Sequence, residues 1–253
     1  MKTLKSNSIT TLVLAFFLTF LFTACPSQDT ENNKSMKIQN DKIIKLPEPS
    51  KDGKISVEEA LAGRRSIREY SGESLSLSEI SQLLWAAQGI TRKEDDPPAM
   101  WHGDQWMGGL RTAPSAGALY PIELYIAVGE VKGLSQGLYY KYHPGEHGLI
   151  KILDGDKRDD IAEAALDQGC VRAGAVDIIM TGVYRRTAHK YGDRAERYVQ
   201  IESGAVCQNI YLQAYALDLG TVIVGAFQDN ILKSILNLPD DEYPLGIMPV
   251  GRK

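Results

Sequence analysis

Arg64, Arg65 and Arg68 place three guanidinium groups within five residues, around the hydroxyl of Ser66. Phosphate is the natural partner for that donor set. Guanidinium forks bind phosphate oxygens in pairs, and in an extended segment Arg64, Ser66 and Arg68 project the same way. The same letters also read as a solvated basic turn. A second basic group, Gly251-Arg252-Lys253, ends the chain and could close on the same phosphate. Between the two lies Arg111 to Pro121, RTAPSAGALYP, in which Pro114, Ser115, Ala116 and Gly117 offer backbone N–H groups under little side-chain bulk. A flat ligand can lie almost on such a main chain, and the run serves equally as a tight turn before a strand. No Walker-type or GxGxxG loop is present. Cys170 and Cys207 lack the CxxC or Cys/His spacing of a metal or redox site; they read as buried thiols, with a disulfide between them as the alternative in an exported domain.

These groups need elements to hold them. Ser56 followed by Glu59 starts a short helix that runs into Arg64, and Ser76 or Ser78 starts a second, with Leu77, Ile80, Leu83, Leu84 and Ala87 on one face and Gly89 as its stop. Thr91–Leu110, with Pro97, Pro98, Trp101, His102 and Trp106, reads as a long loop, either a lid over a pocket or a surface insertion. Strands are expected at Ile122–Val128, Gly137–His143, Leu149–Leu153, Ala175–Tyr184 and Thr221–Gly225, with another in the tail after Tyr243. Helices are expected at Arg158–Asp167 and from Asp229, the expected cap, to near Leu238. RRTAHKYGDR reads as a polar link to the longest helix, about Ala195–Leu219. That helix carries a stripe of Tyr198, Ile201, Ala205, Leu212, Tyr215 and Leu219, interrupted at Gln208. Gln208 is then either a register-fixing hydrogen bond or a ligand contact.

The N-terminus reads differently. Lys2 and Lys5, an apolar run over Ile9–Phe22, and Thr23-Ala24 before Cys25 read as a secretion signal over residues 1–24 whose ending resembles a lipoprotein signal, with ordinary cleavage nearby as the alternative. The expected product is exported to a bacterial cell envelope and anchored to a membrane through a lipidated Cys25. Residues 25–52 form a polar linker or N-terminal arm, whose Ile43, Ile44 and Leu46 can dock on the folded domain at 53–253. The formal charge is −4, and −6 after loss of residues 1–24 with their two lysines; with no basic block, nucleic acid is not an expected partner.

Taken in order, RRSIREY, WAAQGIT, RTAPSAGALYPIELY, KYGDR, ESGAVCQNIYLQAYALDLG, VGAF and PVGRK resemble the nitroreductase superfamily over about residues 55–253. More narrowly they resemble its SagB-type dehydrogenase branch. The resemblance implies an α+β fold, a mainly antiparallel sheet flanked by helices, with the long helix central to a homodimer that binds one FMN at each interface. It makes Arg64, Arg65, Ser66, Arg68 and Arg252 ligands of the FMN phosphate and ribityl end. Pro114, Ser115, Ala116 and Gly117 would come from the partner subunit against the flavin ring, with Gln208, Val224, Gly225 and Ala226 near the ring or chain. Lys190 and Tyr191 match a Lys-Tyr pair that assists proton removal from substrate in azoline-oxidising relatives. The implied activity is FMN-dependent hydride transfer between a small-molecule or peptide substrate and an acceptor, with NAD(P)H open as electron donor. The alternative is a non-catalytic lipoprotein that binds a ligand or partner at the former flavin site.

Overall fold

The computed structural model describes residues 43–92, 101–102, 105–106 and 109–253. The leader, Cys25 and most of the arm lie outside the described residues. Apolar runs at the centre of the fold build its sheet. Seven strands pair antiparallel: β1 (Ile44–Lys45), β2 (Ile122–Val128), β3 (Gly137–His143), β4 (Gly148–Asp154), β5 (Val176–Val183), β6 (Leu219–Thr221) and β7 (Glu242–Arg252). Their spatial order is β1-β4-β3-β2-β5-β7-β6. Every residue of β2 and β5 is buried, as expected for central strands covered on both faces. Ile122, Leu124, Ile126 and Val128 enter one core, Tyr125 and Ala127 the other.

The first core is closed by two helices, α2 (Leu77–Gln88) and α6 (Ala195–Ala216), through Ile80, Leu83, Leu84, Val199, Val206, Ile210 and Ala214. The second is closed by α3 (Arg158–Ala164), α4 (Gly169–Ala173) and α7 (Asp229–Ile235). Each fully buried leucine contributes about 1.5–3 kcal/mol relative to exposure. Helix α2 starts as its sequence dictates: Ser76 Oγ accepts from Glu79 N–H while Glu79 accepts from Ser76 N–H, a complete capping box. Helix α1 (Val57–Gly63) starts on Ser56, whose Oγ accepts the Glu59 N–H at 3.0 Å. The described end of the arm docks. Ile44 pairs with Leu149, Leu46 is buried, and His147 bridges Tyr142, Ser81 and the Pro47 carbonyl.

Several expectations are corrected. The segment expected as a polar link is helix α5 (Tyr184–Tyr191) followed by a 3₁₀ turn, Gly192–Arg194, that runs into α6. It reads as a loop because its outer face is polar; Arg186 and Thr187 on its inner face are buried, Arg186 through its pairing with Glu123 and its bond to Tyr120 O, which hydropathy does not register. Helix α6 ends at Ala216, and Leu219 belongs to β6. Its inward face is Val199, Glu202, Val206, Ile210 and Ala214, whereas the stripe read from the sequence faces outward, with Ile201 64% exposed. The strand expected at Thr221–Gly225 is earlier and shorter, leaving Val224 as a single bridge to Ile247. The helix expected to Asp167 ends at Ala164, where Leu166 and Asp167 turn left-handed, and α4 follows separately. Gln228, not Asp229, is the residue before α7. The Thr91–Leu110 segment is not wholly loop: Ile90–Arg92 pairs with Leu110–Arg111, and Trp101–His102 with Gln105–Trp106. Cys170 and Cys207 are free thiols, the first buried and the second half-buried with its Sγ 3.7 Å from Met180 Sδ.

Candidate functional site

The basic segment leaves α1 in extended conformation, Arg64 having φ −58° and ψ 136°. It is pinned to β6 by a bridge from Ser66 to Thr221 and by Ile67 N–H donating to Thr221 O at 2.9 Å. Tyr211 on α6 orients two of its side chains. The Arg64 guanidinium lies 5.1 Å from the Tyr211 ring centre, a cation–π contact. The Tyr211 hydroxyl accepts the Ile223 N–H at 2.9 Å and lies 3.0 Å from Ser66 Oγ. Either hydroxyl can donate in the Ser66–Tyr211 contact, and where Tyr211 does, the serine proton is left for a ligand. Ser66 and Arg68 are exposed.

Two further arginines are engaged elsewhere. Arg65 turns back, its Nη1 donating to Ala62 O at 2.9 Å and Arg64 O at 2.7 Å, which satisfies carbonyls at the end of α1. Arg252 forks onto Glu79, Nη1 to Oε1 at 2.8 Å and Nη2 to Oε2 at 3.2 Å, and so buttresses the α2 capping box. Within one chain, then, Arg64, Ser66 and Arg68 present an open face, while Arg252 is held by a carboxylate.

The small-residue run forms a strained turn. Gly117 (φ 65°), Ala118 (φ 55°) and Tyr120 (φ 44°) all adopt left-handed backbone, which costs a non-glycine residue about 1–2 kcal/mol. Side chains hold it there. Ser115 Oγ accepts the Tyr120 N–H at 2.9 Å, Tyr120 OH accepts the Arg111 N–H at 3.1 Å, and the Arg111 guanidinium lies 4.5 Å from the Tyr120 ring centre. A Cβ at Gly117 would stand 2.8 Å from Tyr191 OH, 3.0 Å from Lys190 Nζ and 3.4 Å from Lys190 Cδ. Fold thus brings together two motifs some seventy residues apart. Lys190 is exposed in the single chain, and Tyr191 packs edge-on to Tyr198 at 4.9 Å between ring centres.

Behind the turn lies a polar network that sequence reasoning missed. Arg186 on α5 pairs with Glu123 on β2, both buried, and donates through Nη1 to Tyr120 O at 3.0 Å. Arg111 Nη1 donates to Gln88 Oε1 at 2.9 Å. Glu202 on α6 is 3% exposed, and burial pushes its carboxyl up to about 7, against the lowering influence of the Ser115 hydroxyl, Arg111, Gln88 and Arg186. Glu202 Oε1, Gln88 Nε2 and Arg111 Nε are buried without a hydrogen-bond partner among the described residues. Position was the one available signal. Glu202 falls in the helical frame of Val199 and Val206, and Glu123 interrupts an otherwise apolar strand.

The remaining predicted residues spread along α6 and beyond it. Gln208 is half-buried on the outward face and makes no side-chain hydrogen bond among the described residues. Val224 is buried by its bridge, whereas Gly225 and Ala226 are exposed, with open space where a Gly225 Cβ would stand. Tyr211, which carries the basic segment, and Glu202, which backs the turn, are nine residues apart on α6. At 1.5 Å and 100° per residue they are separated by about 14 Å and project to opposite sides. One chain therefore does not unite the phosphate-type donors with the ring-type turn.

Residues 61–252 match the model of the Nitroreductase family. Protein MJ1384 of Methanocaldococcus jannaschii, provisionally named a nitroreductase, is 43% identical over 210 residues, covering 83% of this chain and 96% of that one. A crystal structure of a provisionally named nitroreductase from Ralstonia eutropha aligns at TM-score 0.67 with 28% identity, over 83% of this chain and 89% of its own. Another, from Anabaena variabilis, aligns at TM-score 0.62 with 32% identity over 76% of this chain, which spans 37% of that longer protein.

Proposed function

This chain belongs to the nitroreductase family, and from that premise we propose that it is an FMN-dependent oxidoreductase of the SagB-type branch. It passes hydride between a small-molecule or peptide substrate and an acceptor, with NAD(P)H as a candidate reductant. Family membership implies a flavin, and the residues present fit one. The observation that carries the reading is the Gly117 turn, over which Lys190 Nζ and Tyr191 OH stand, together with the orphaned polar atoms of Glu202, Gln88 and Arg111. Arg64, Ser66 and Arg68 would hold the phosphate, Pro114–Gly117 the ring, and Gln208 with Val224–Ala226 its flank. When bound, FMN supplies a two-electron carrier able to take and return hydride.

This chain's own residues supply positioning and proton handling. Backbone N–H groups of the turn favour negative charge at the ring's edge. Tyr191 OH and Lys190 Nζ, both beside Gly117, are placed to take a proton from a substrate atom or relay it to solvent. Because the phosphate donors and the turn lie on opposite sides of α6, a complete site draws them from two copies, and the outward stripe of Tyr198, Ile201, Ala205 and Leu212 supplies the apolar face for that homodimer. The leader places the enzyme in the cell envelope, tethered through Cys25. In the test, the purified protein is reconstituted with FMN and exposed to dithionite and to NADPH under argon, then to air. A yellow protein that bleaches and recovers is expected; a protein that retains no FMN after gel filtration overturns the proposal.

A further inference from the structure

We propose that Glu202 is a proton-taking positioning residue for the Pro114–Gly117 turn, binding a proton as negative charge arrives at the turn's outer face. The inference rests on the turn being the ring-binding element. Its geometric basis is the composition of the buried layer behind that turn. Facing Glu202 are Gln88 from α2, Arg111 and Ser115 from the loop and Arg186 from α5, with Glu123 from β2 paired to Arg186. Ionised, Glu202 makes the set Arg111, Arg186, Glu123 and Glu202 neutral; protonated, it leaves one net positive charge. In a water-poor interior such a change of charge acts more strongly on a nearby anion than it would in water.

Ser115 connects the two faces. Its hydroxyl faces the Glu202 carboxyl, its Oγ fixes the turn through Tyr120 N–H, and the residue itself is only half-buried. It is the path by which a proton reaches an otherwise sealed carboxylate. The stoichiometry is explicit. A bound flavin would gain two electrons and one proton together from an external hydride donor, one negative charge more than before. The compensating proton comes from solvent, by way of Ser115, to a Glu202 oxygen, and it returns to solvent on reoxidation. Burial that holds the Glu202 carboxyl near neutrality makes both states accessible at ordinary pH.

The experiment counts protons. The flavin-loaded protein and its Glu202→Gln variant are photoreduced in weak buffer slightly above neutral pH, with an indicator dye reporting uptake. The parent should take up more protons per flavin than the variant, up to the fraction of Glu202 that is ionised before reduction, and equal uptake overturns the proposal. Infrared difference spectra of the parent, with or without flavin, should show a carboxylic acid band growing as pH falls through about 7. Ser115→Ala should move that titration upward, since the hydroxyl lowers the carboxyl's pKa. A band that does not titrate near neutrality, or that Ser115→Ala leaves unmoved, overturns the proposal even where Glu202→Gln does not fold. A protein that holds no flavin refutes the proposed function instead, and the infrared titration still decides the state of Glu202.

Discussion

Asp177 should set a measurable pH slope on the stability of this fold. It lies in β5 between Ala127 of β2 and Pro249 of β7, is 0% exposed, and neither carboxyl oxygen has a hydrogen-bond partner. Burial raises its pKa well above the ordinary carboxylate range; the Arg158 guanidinium opposes the shift and Asp156 adds to it. The folded state therefore holds a proton that the unfolded chain releases above about pH 3.9. Below that pH both states are protonated and the residue costs nothing on this account. As pH rises toward the folded carboxyl's own pKa, stability falls by about 1.4 kcal/mol per unit from this group alone. Asp177→Asn keeps the shape and removes the titration. Urea unfolding of parent and variant at half-unit steps from about pH 4.5 to 6.5 gives two curves to which all other groups contribute alike. Wherever the folded carboxyl keeps its proton, their difference should change by about 1.4 kcal/mol per pH unit, the parent losing stability relative to the variant as pH rises. Parallel curves would show that the folded protein carries Asp177 ionised, and the reasoning from burial would fail.

Gly117→Ala should lower stability by about 1–2 kcal/mol through its left-handed φ, or about 2–4 °C of melting temperature per kcal/mol, with Tyr191→Phe easing the crowding in the double variant; calorimetry of the two single variants and the double checks it, and an unchanged melting point for Gly117→Ala refutes it. Arg186→Met strands the buried Glu123 carboxylate and should cost about 3–5 kcal/mol, most of it recovered by adding Glu123→Leu, as chemical denaturation would show. Arg64→Ala and Arg68→Ala should each weaken FMN binding by about one to two decades in equilibrium dialysis, because each removes a charge-assisted contact of about 1.5–3 kcal/mol. Lys190→Ala and Tyr191→Phe should keep FMN yet slow its reduction by substrate by about two to four decades in stopped-flow traces, with reoxidation unchanged.

Much of the frame is local in origin, and the sequence alone determines it. Ser76 and Glu79 cap α2 through atoms three residues apart, the apolar run Ile122–Val128 has little choice but a central strand, and the small residues around Gly117 permit a turn that few other letters would allow. The arginines beside Ser66 likewise announce an anion site by donor chemistry. What tertiary structure decided is whatever depends on which face meets which partner. Helix α6 is apolar on two sides, so periodicity finds a stripe without saying whether the protein's own core or the outside receives it; the core took Val199, Val206 and Ile210 and left Ile201 exposed. Arg252 gives no local hint of Glu79, 173 residues away, nor Arg186 of Glu123. Glu202 shows the reason most plainly. A glutamate in a helix ordinarily faces water, because isolating its charge is costly, and only the convergence of Arg111, Ser115, Gln88 and Arg186 from distant segments makes its burial tolerable.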